Sequence, residues 1–176
     1  MVLQKNWQTL IKPKQLSVES GDDPKRVATV VARFNQHVTS LLEDGAVATL
    51  AEHGVVGEDA PVFRVPGAFE LPVVAKRLAE TGKWDAVICL GAVIRGDTPH
   101  FDYVAGECAA GLTRVALDTG VPIVFGVLTT DDLDQALARA GGSEGNKGSE
   151  AAATALETAA LLRSLPAPKD SKAISC

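Results

Sequence analysis

One run constrains this chain more than any other: Ala86-Val87-Ile88-Cys89-Leu90-Gly91-Ala92-Val93-Ile94. A strand with one wet face alternates apolar and polar side chains, and this run does not. A strand apolar on both faces belongs in the middle of a parallel sheet that helices cover from both sides. Three further β-rich runs fit that placement: 27–31, 62–65 (between Pro61 and Pro66) and 123–128. Helical periodicity fills the intervals. Val38, Leu41, Leu42, Ala46 and Leu50 mark a helix over 36–52 that Gly54 stops. Leu71, Val74, Ala75 and Leu78 mark a second, ended by Gly82, and Val104, Cys108, Leu112, Val115 and Ala116 a third over 102–117. A short helix over 131–140, a Gly-rich loop and a last helix over 149–165 complete the pattern. Alternation of this kind predicts an α/β fold: a three-layer α/β/α sandwich with a four-stranded parallel sheet and right-handed crossovers.

Composition narrows the function. The net charge is −5 and the pI about 5.2, without the basic face that a nucleic-acid binder needs. An apolar fraction of 46% supports a packed core. No run approaches the roughly 20 apolar residues that span a bilayer, and the amino terminus lacks a signal peptide's apolar stretch. Three cysteines, Cys89, Cys108 and Cys176, have no metal-type spacing, which reads as reduced thiols in a cytoplasmic protein. The expected organisation is an extension over 1–24, one domain over 25–165 and a flexible tail over 166–176.

In an open parallel sheet, ligands bind beyond the carboxyl ends of the strands. Those ends run out into Arg33-Phe34-Asn35, Pro66-Gly67-Ala68-Phe69-Glu70, Arg95 to Asp102, and Thr129-Thr130-Asp131-Asp132. Polar, glycyl and aromatic residues therefore collect on one edge. His100 has a side chain suited to proton transfer near neutral pH, or is simply a surface residue. Gly96-Asp97-Thr98 precedes a helix, whose free N–H groups favour an anion; Thr98 or Asp102 as a plain cap is the other reading. Asp97, His100 and Asp102 lack the remote partners of a metal site. Phe34 and Phe69 offer a flat stacking surface or anchor their loops. The loop Gly141–Ser149 fails the Walker pattern, since it joins two helices and no Gly directly precedes Lys147. Arg139 and Lys147 are candidate anion contacts, with Arg139 also placed to pair with Glu150.

Taken together, Arg33-Phe34-Asn35, Val65-Pro66-Gly67-Ala68-Phe69-Glu70-Leu71-Pro72, the stretch from Gly91 to Val104, Phe125-Gly126-Val127-Leu128-Thr129-Thr130, Arg139-Ala140-Gly141 and Gly145-Asn146-Lys147-Gly148 resemble the 6,7-dimethyl-8-ribityllumazine synthases. The resemblance runs over about residues 27–165 and implies the same sandwich, of the flavodoxin-like kind. It implies condensation of 5-amino-6-(D-ribitylamino)uracil with 3,4-dihydroxy-2-butanone 4-phosphate, a step of riboflavin synthesis that uses neither metal nor organic cofactor. By resemblance Phe34 stacks on the pyrimidine, with Phe69 beside it. Asn35, Ala68 and Glu70 orient the ribityl side, and backbone around Val93 and Ile94 reads the uracil edge. Gly96, Asp97, Thr98 and Arg139 cradle the phosphate, and His100 moves protons. Phe125, Arg139 and Lys147 come from a neighbouring subunit, because the family forms pentamers and, in some members, shells of twelve pentamers. Ser143-Glu144 departs from the Lys that many relatives carry there, which lowers local positive charge. The segment from Lys5 through Arg26 to Ala32 is instead similar to the start of a bacterial RNA polymerase α subunit, too short to form its domain. A catalytically inert shell protein would be expected to lack His100 or Arg139, and both are present. A flavodoxin-like electron carrier would need a Ser/Thr-rich first loop that this chain lacks.

Overall fold

A computed structural model describes residues 26–166. The extension over 1–24, Cys176 and all of the tail except Pro166 lie outside the described residues. Strand β1 (Val27–Ala32) is buried at every position and leads to α1 (Gln36–Glu52). Next come β2 (Val62–Val65), α2 (Leu71–Ala79), β3 (Ala86–Ile94) and α3 (His100–Thr119). Strand β4 (Ile123–Thr130) and α4 (Leu133–Arg139) follow. A small antiparallel pair, β5 (Ala140–Gly142) and β6 (Gly145–Asn146), precedes α5 (Lys147–Ser164).

The main sheet has the order β2-β1-β3-β4, and all three of its pairings are parallel. The apolar run 86–94 is thus an interior strand, as its composition demands: eight of its nine residues are buried. Because successive side chains point to opposite faces, β3 feeds two cores. Ile88, Leu90 and Ala92 join Val27, Val31, Leu42, Leu50 and the alanines of α5 on one side. Val87, Cys89 and Val93 join Val30, Leu71, Ala75, Cys108 and Leu112 of the α2/α3 layer on the other. The α/β/α sandwich with a four-stranded parallel sheet follows directly.

The main differences from the expected boundaries have local reasons. Helix α3 starts two residues earlier, at His100, and continues to Thr119, where Gly120 takes the left-handed conformation at φ 70°. Strand β4 extends to Thr130 because Val93 and Ile94 of β3 pair with Thr129 and Thr130. Helix α5 starts at Lys147 rather than Ser149, since the Asn146 side chain caps it. The Gly-rich segment is not a plain loop but holds the β5–β6 pair, which periodicity cannot detect in elements this short. Leu41, one of the periodic apolar positions that mark α1, is exposed, whereas the polar Thr39 next to Val38 is buried.

Strand β1 begins in a set of ties at the sheet edge opposite the strand exits. The Arg26 N–H donates to Asp85 Oδ2 at 3.0 Å and the Asp85 N–H returns a bond to the Arg26 carbonyl at 2.8 Å. The Arg26 guanidinium lies over Trp84 and pairs with Asp59.

Candidate active site

The strand exits are tied to one another by backbone. The Arg33 N–H donates to the Val65 carbonyl at 2.9 Å, and the Phe34 N–H to the Pro66 carbonyl at 3.0 Å. Asn35 then turns left-handed (φ 58°, ψ 44°), the one non-glycine residue to do so among the described residues. Asn tolerates this region better than most residues. The turn lets its Nδ2 donate to the Ala92 carbonyl of β3 at 2.9 Å, while its own carbonyl receives the Val38 and Thr39 N–H groups and starts α1. Asn35 therefore bridges β1 and β3, where the sheet order reverses, the place at which open α/β sheets bind ligands. Phe34, immediately before it, is left 70% exposed, a flat apolar ring with no core to serve. Within the single chain it is not packed as a core anchor.

Beyond β2, Glu70 Oε2 accepts the Gly67 N–H at 2.9 Å and fixes a tight turn over Ala68–Glu70. Ala68 is buried beneath that turn and Phe69 is 57% exposed above it. Beyond β3, Val93 is buried, Ile94 half-buried, and Gly96, Asp97, Thr98 and His100 are all exposed. Pro99 occupies the cap position of α3 and no side chain caps the helix. Neither Thr98 nor Asp102 serves as a cap; the Asp102 N–H donates to the Pro99 carbonyl at 3.0 Å, and the N–H groups that precede it in the first turn are left for an anion. Asp97, His100 and Asp102 do not form a metal-holding group; among the described residues no cluster of three or more such side chains does.

Arg95 organises this loop, and the sequence reading had assigned it nothing. Its N–H donates to the Thr130 carbonyl at 2.9 Å. Its Nε reaches Asp131 Oδ1 at 3.1 Å, its Nη1 reaches Asp102 Oδ1 at 3.3 Å, and the guanidinium lies 4.1 Å from the Phe101 ring centre. The Asp131 hydrogen bond above all, with Asp102 adding to it, pushes the guanidinium pKa further up. Only the pairing with Asp102, seven residues away, had a local signal; Asp131 is brought close by the β3–β4 register.

The remaining candidates lie elsewhere. Phe125, 44% exposed on the edge strand β4, lines a groove of about 690 Å³ together with Val127, Thr129, Arg139, Lys147 and Thr154. None of Phe34, Asn35, Phe69, Glu70 or His100 lines it. Within one chain the candidate residues thus form two groups, one on the strand exits and one on the flank of β4. The expected Arg139–Glu150 pair is not formed. Lys147 takes Glu150 at 2.7 Å because the two lie one turn apart on α5. Arg139, at the end of α4, donates instead to the Gln135 carbonyl of its own helix at 3.0 Å.

A comparison with protein families agrees with this geometry. Residues 24–163, about four-fifths of the chain, match the family described as 6,7-dimethyl-8-ribityllumazine synthase. The chain belongs to that family. Lumazine synthases form the lumazine of riboflavin biosynthesis, and this chain carries their sandwich fold. The match begins at residue 24 and so includes β1, which overlaps the polymerase-like segment. No helix among the described residues is long and apolar enough to cross a membrane.

Proposed function

We propose that the chain condenses 5-amino-6-(D-ribitylamino)uracil with 3,4-dihydroxy-2-butanone 4-phosphate, giving 6,7-dimethyl-8-ribityllumazine, phosphate and water. One observation carries the reading: an exposed ring, Phe34, at the same end of the parallel sheet as an uncapped helix start, within a chain of the lumazine synthase family. A heterocycle stacks on Phe34, flanked by Phe69. Asn35, Ala68 and Glu70 orient its ribityl side, and the backbone at Val93 and Ile94 reads its polar edge. The phosphate rests on the N–H groups of Gly96, Asp97 and Thr98.

The chemistry asks little more of the protein. The 5-amino group adds to the ketone and water leaves, forming an imine. Loss of a proton and of phosphate then gives an enol, which becomes a ketone. The ribitylamino nitrogen closes the ring with loss of a second water. Every step moves protons without a redox change, and His100 at the loop's end is the group to carry them. Holding two reactants in register supplies much of the acceleration.

The flank of β4 completes the site from a neighbouring copy: Phe125 covers the heterocycle, while Arg139 and Lys147 face the phosphate. The single-chain separation of the two groups supports this sharing. A homopentamer meets the requirement, and the short connection between α4 and α5 suits a shell of pentamers; a light-scattering mass separates the two. Incubating the folded protein with both substrates yields the fluorescent lumazine. No product from folded oligomer overturns the proposal.

A further inference from the structure

The start of α5 makes a contact that the site reading does not use. A Cβ on Gly148 would stand 1.9 Å from the Leu42 carbonyl oxygen of α1, and one on Gly45 would stand 2.5 Å from Asn146 Cγ. A glycine inside a helix weakens it, so one on each side of a single contact marks a required close approach. The Asn146 amide fills the remaining gap and uses both its ends. Its Oδ1 accepts the Gly148 and Ser149 N–H groups at 2.8 and 3.2 Å, while its Nδ2 donates to the Leu41 carbonyl at 2.8 Å. Ser149 Oγ adds a bond to the Gly45 carbonyl at 3.1 Å. Asn146 also pairs with Ala140 in the β5–β6 ladder. Arg139 immediately precedes Ala140 and Lys147 immediately follows Asn146. Asn146 therefore adjoins the supports of both cations, Ala140 through the strand pairing and Lys147 through the chain, and its side chain fastens them to α1.

We propose that Asn146 is a positioning residue: its amide lock onto α1 sets where Arg139 and Lys147 present their charges to the phosphate substrate. The inference rests on the reading of those cations given above. Both ends of the amide are engaged with protein backbone, Oδ1 on α5 and Nδ2 on α1, so its effect passes through its neighbours. Asn146→Asp is the discriminating variant. It keeps the acceptor that caps α5 and removes the donor to Leu41, setting a carboxylate against that carbonyl. Its KM for the phosphate substrate rises roughly tenfold, the scale set by small misplacements of binding groups, while kcat and the KM for the pyrimidine change less than about twofold. Gly45→Ala, which displaces the amide from the α1 side, gives the same split if it folds. Lys147→Ala is measured in parallel. A raised phosphate KM in Lys147→Ala with none in Asn146→Asp overturns the positioning role alone. No change in Lys147→Ala overturns the cation reading and this inference with it. A uniform loss in all kinetic parameters of Asn146→Asp reduces the residue to a structural cap and also overturns the inference.

Discussion

Gly148→Ala sets two effects of opposite sign against each other. Helix propensity favours Ala over Gly by about 1 kcal/mol in a helix interior. Packing opposes it, because the new methyl would lie 1.9 Å from the Leu42 oxygen, 2.6 Å from its carbonyl carbon and 2.8 Å from its Cα. All three are backbone atoms of α1, so no rotamer change relieves the clash. Reaching even 3.0 Å from the oxygen requires the helices to part by 1.1 Å, the difference between those two distances. Overpacking of this kind costs about 1–3 kcal/mol. Parting also stretches the Asn146 and Ser149 bonds to α1, at roughly 1 kcal/mol each. The net expectation is a loss of about 2–4 kcal/mol, a large share of a typical domain's stability. Urea unfolding at fixed protein concentration reads it, the concentration being held because assembly adds to apparent stability. Gly106→Ala on the exposed face of α3, with nothing within 4 Å of the new methyl, is the reference and gains up to about 1 kcal/mol. A Gly148→Ala midpoint at or above the wild type would refute the close approach of α1 and α5.

Other expectations follow from single residues. Thr29 is fully buried in β1 and its Oγ1 has no partner among the described residues; Thr29→Val raises stability by about 1 kcal/mol, read as a higher thermal midpoint, whereas a fall would reveal a hydrogen bond to that hydroxyl. His100→Ala lowers turnover and leaves substrate affinity nearly intact, so unchanged turnover in stopped-flow removes His100 from proton transfer. Burial pushes the Cys108 thiol up to about 11 and Cys89 higher still, with Cys108 adding to the latter. In a Cys176→Ser background the folded protein therefore resists alkylation at pH 8 and reacts once unfolded. Because the folded values are raised, the thiols' contribution to stability is complete below the unfolded thiol pKa and declines as pH rises above it. Rapid modification of the native protein would contradict their burial.

The legible part of this fold is the part governed by periodicity. The wholly apolar run 86–94 announced an interior parallel strand, and the exits of β1 to β3 could be placed from it. Exposure of Phe34 and Phe69 also matches their place just past the ends of β1 and β2. The contacts that hold the site in shape were not legible, because each joins residues far apart in sequence. Asn35 reaches Ala92 only through the β1–β3 pairing, and Arg95 reaches Asp131 only through β3–β4. The partner of Glu150 differs for the opposite reason, a local one. A neighbour on the same helix, Lys147, outcompetes Arg139 on the preceding one. Asn146 resembled an ordinary loop residue until α1 and its Gly45 were packed beside it.

The central claim is that the site is built from two copies. Its direct test mixes one chain lacking the strand-exit group (Phe34→Ala/His100→Ala) with another lacking the β4-flank group (Arg139→Ala/Lys147→Ala), refolded together in equal amounts. Each parent alone forms little lumazine. Random assembly around a ring restores both groups at about a quarter of the interfaces, so lumazine fluorescence in the mixture should recover to about that fraction of the wild-type rate. A mixture that assembles yet stays as inactive as its parents would contradict the claim.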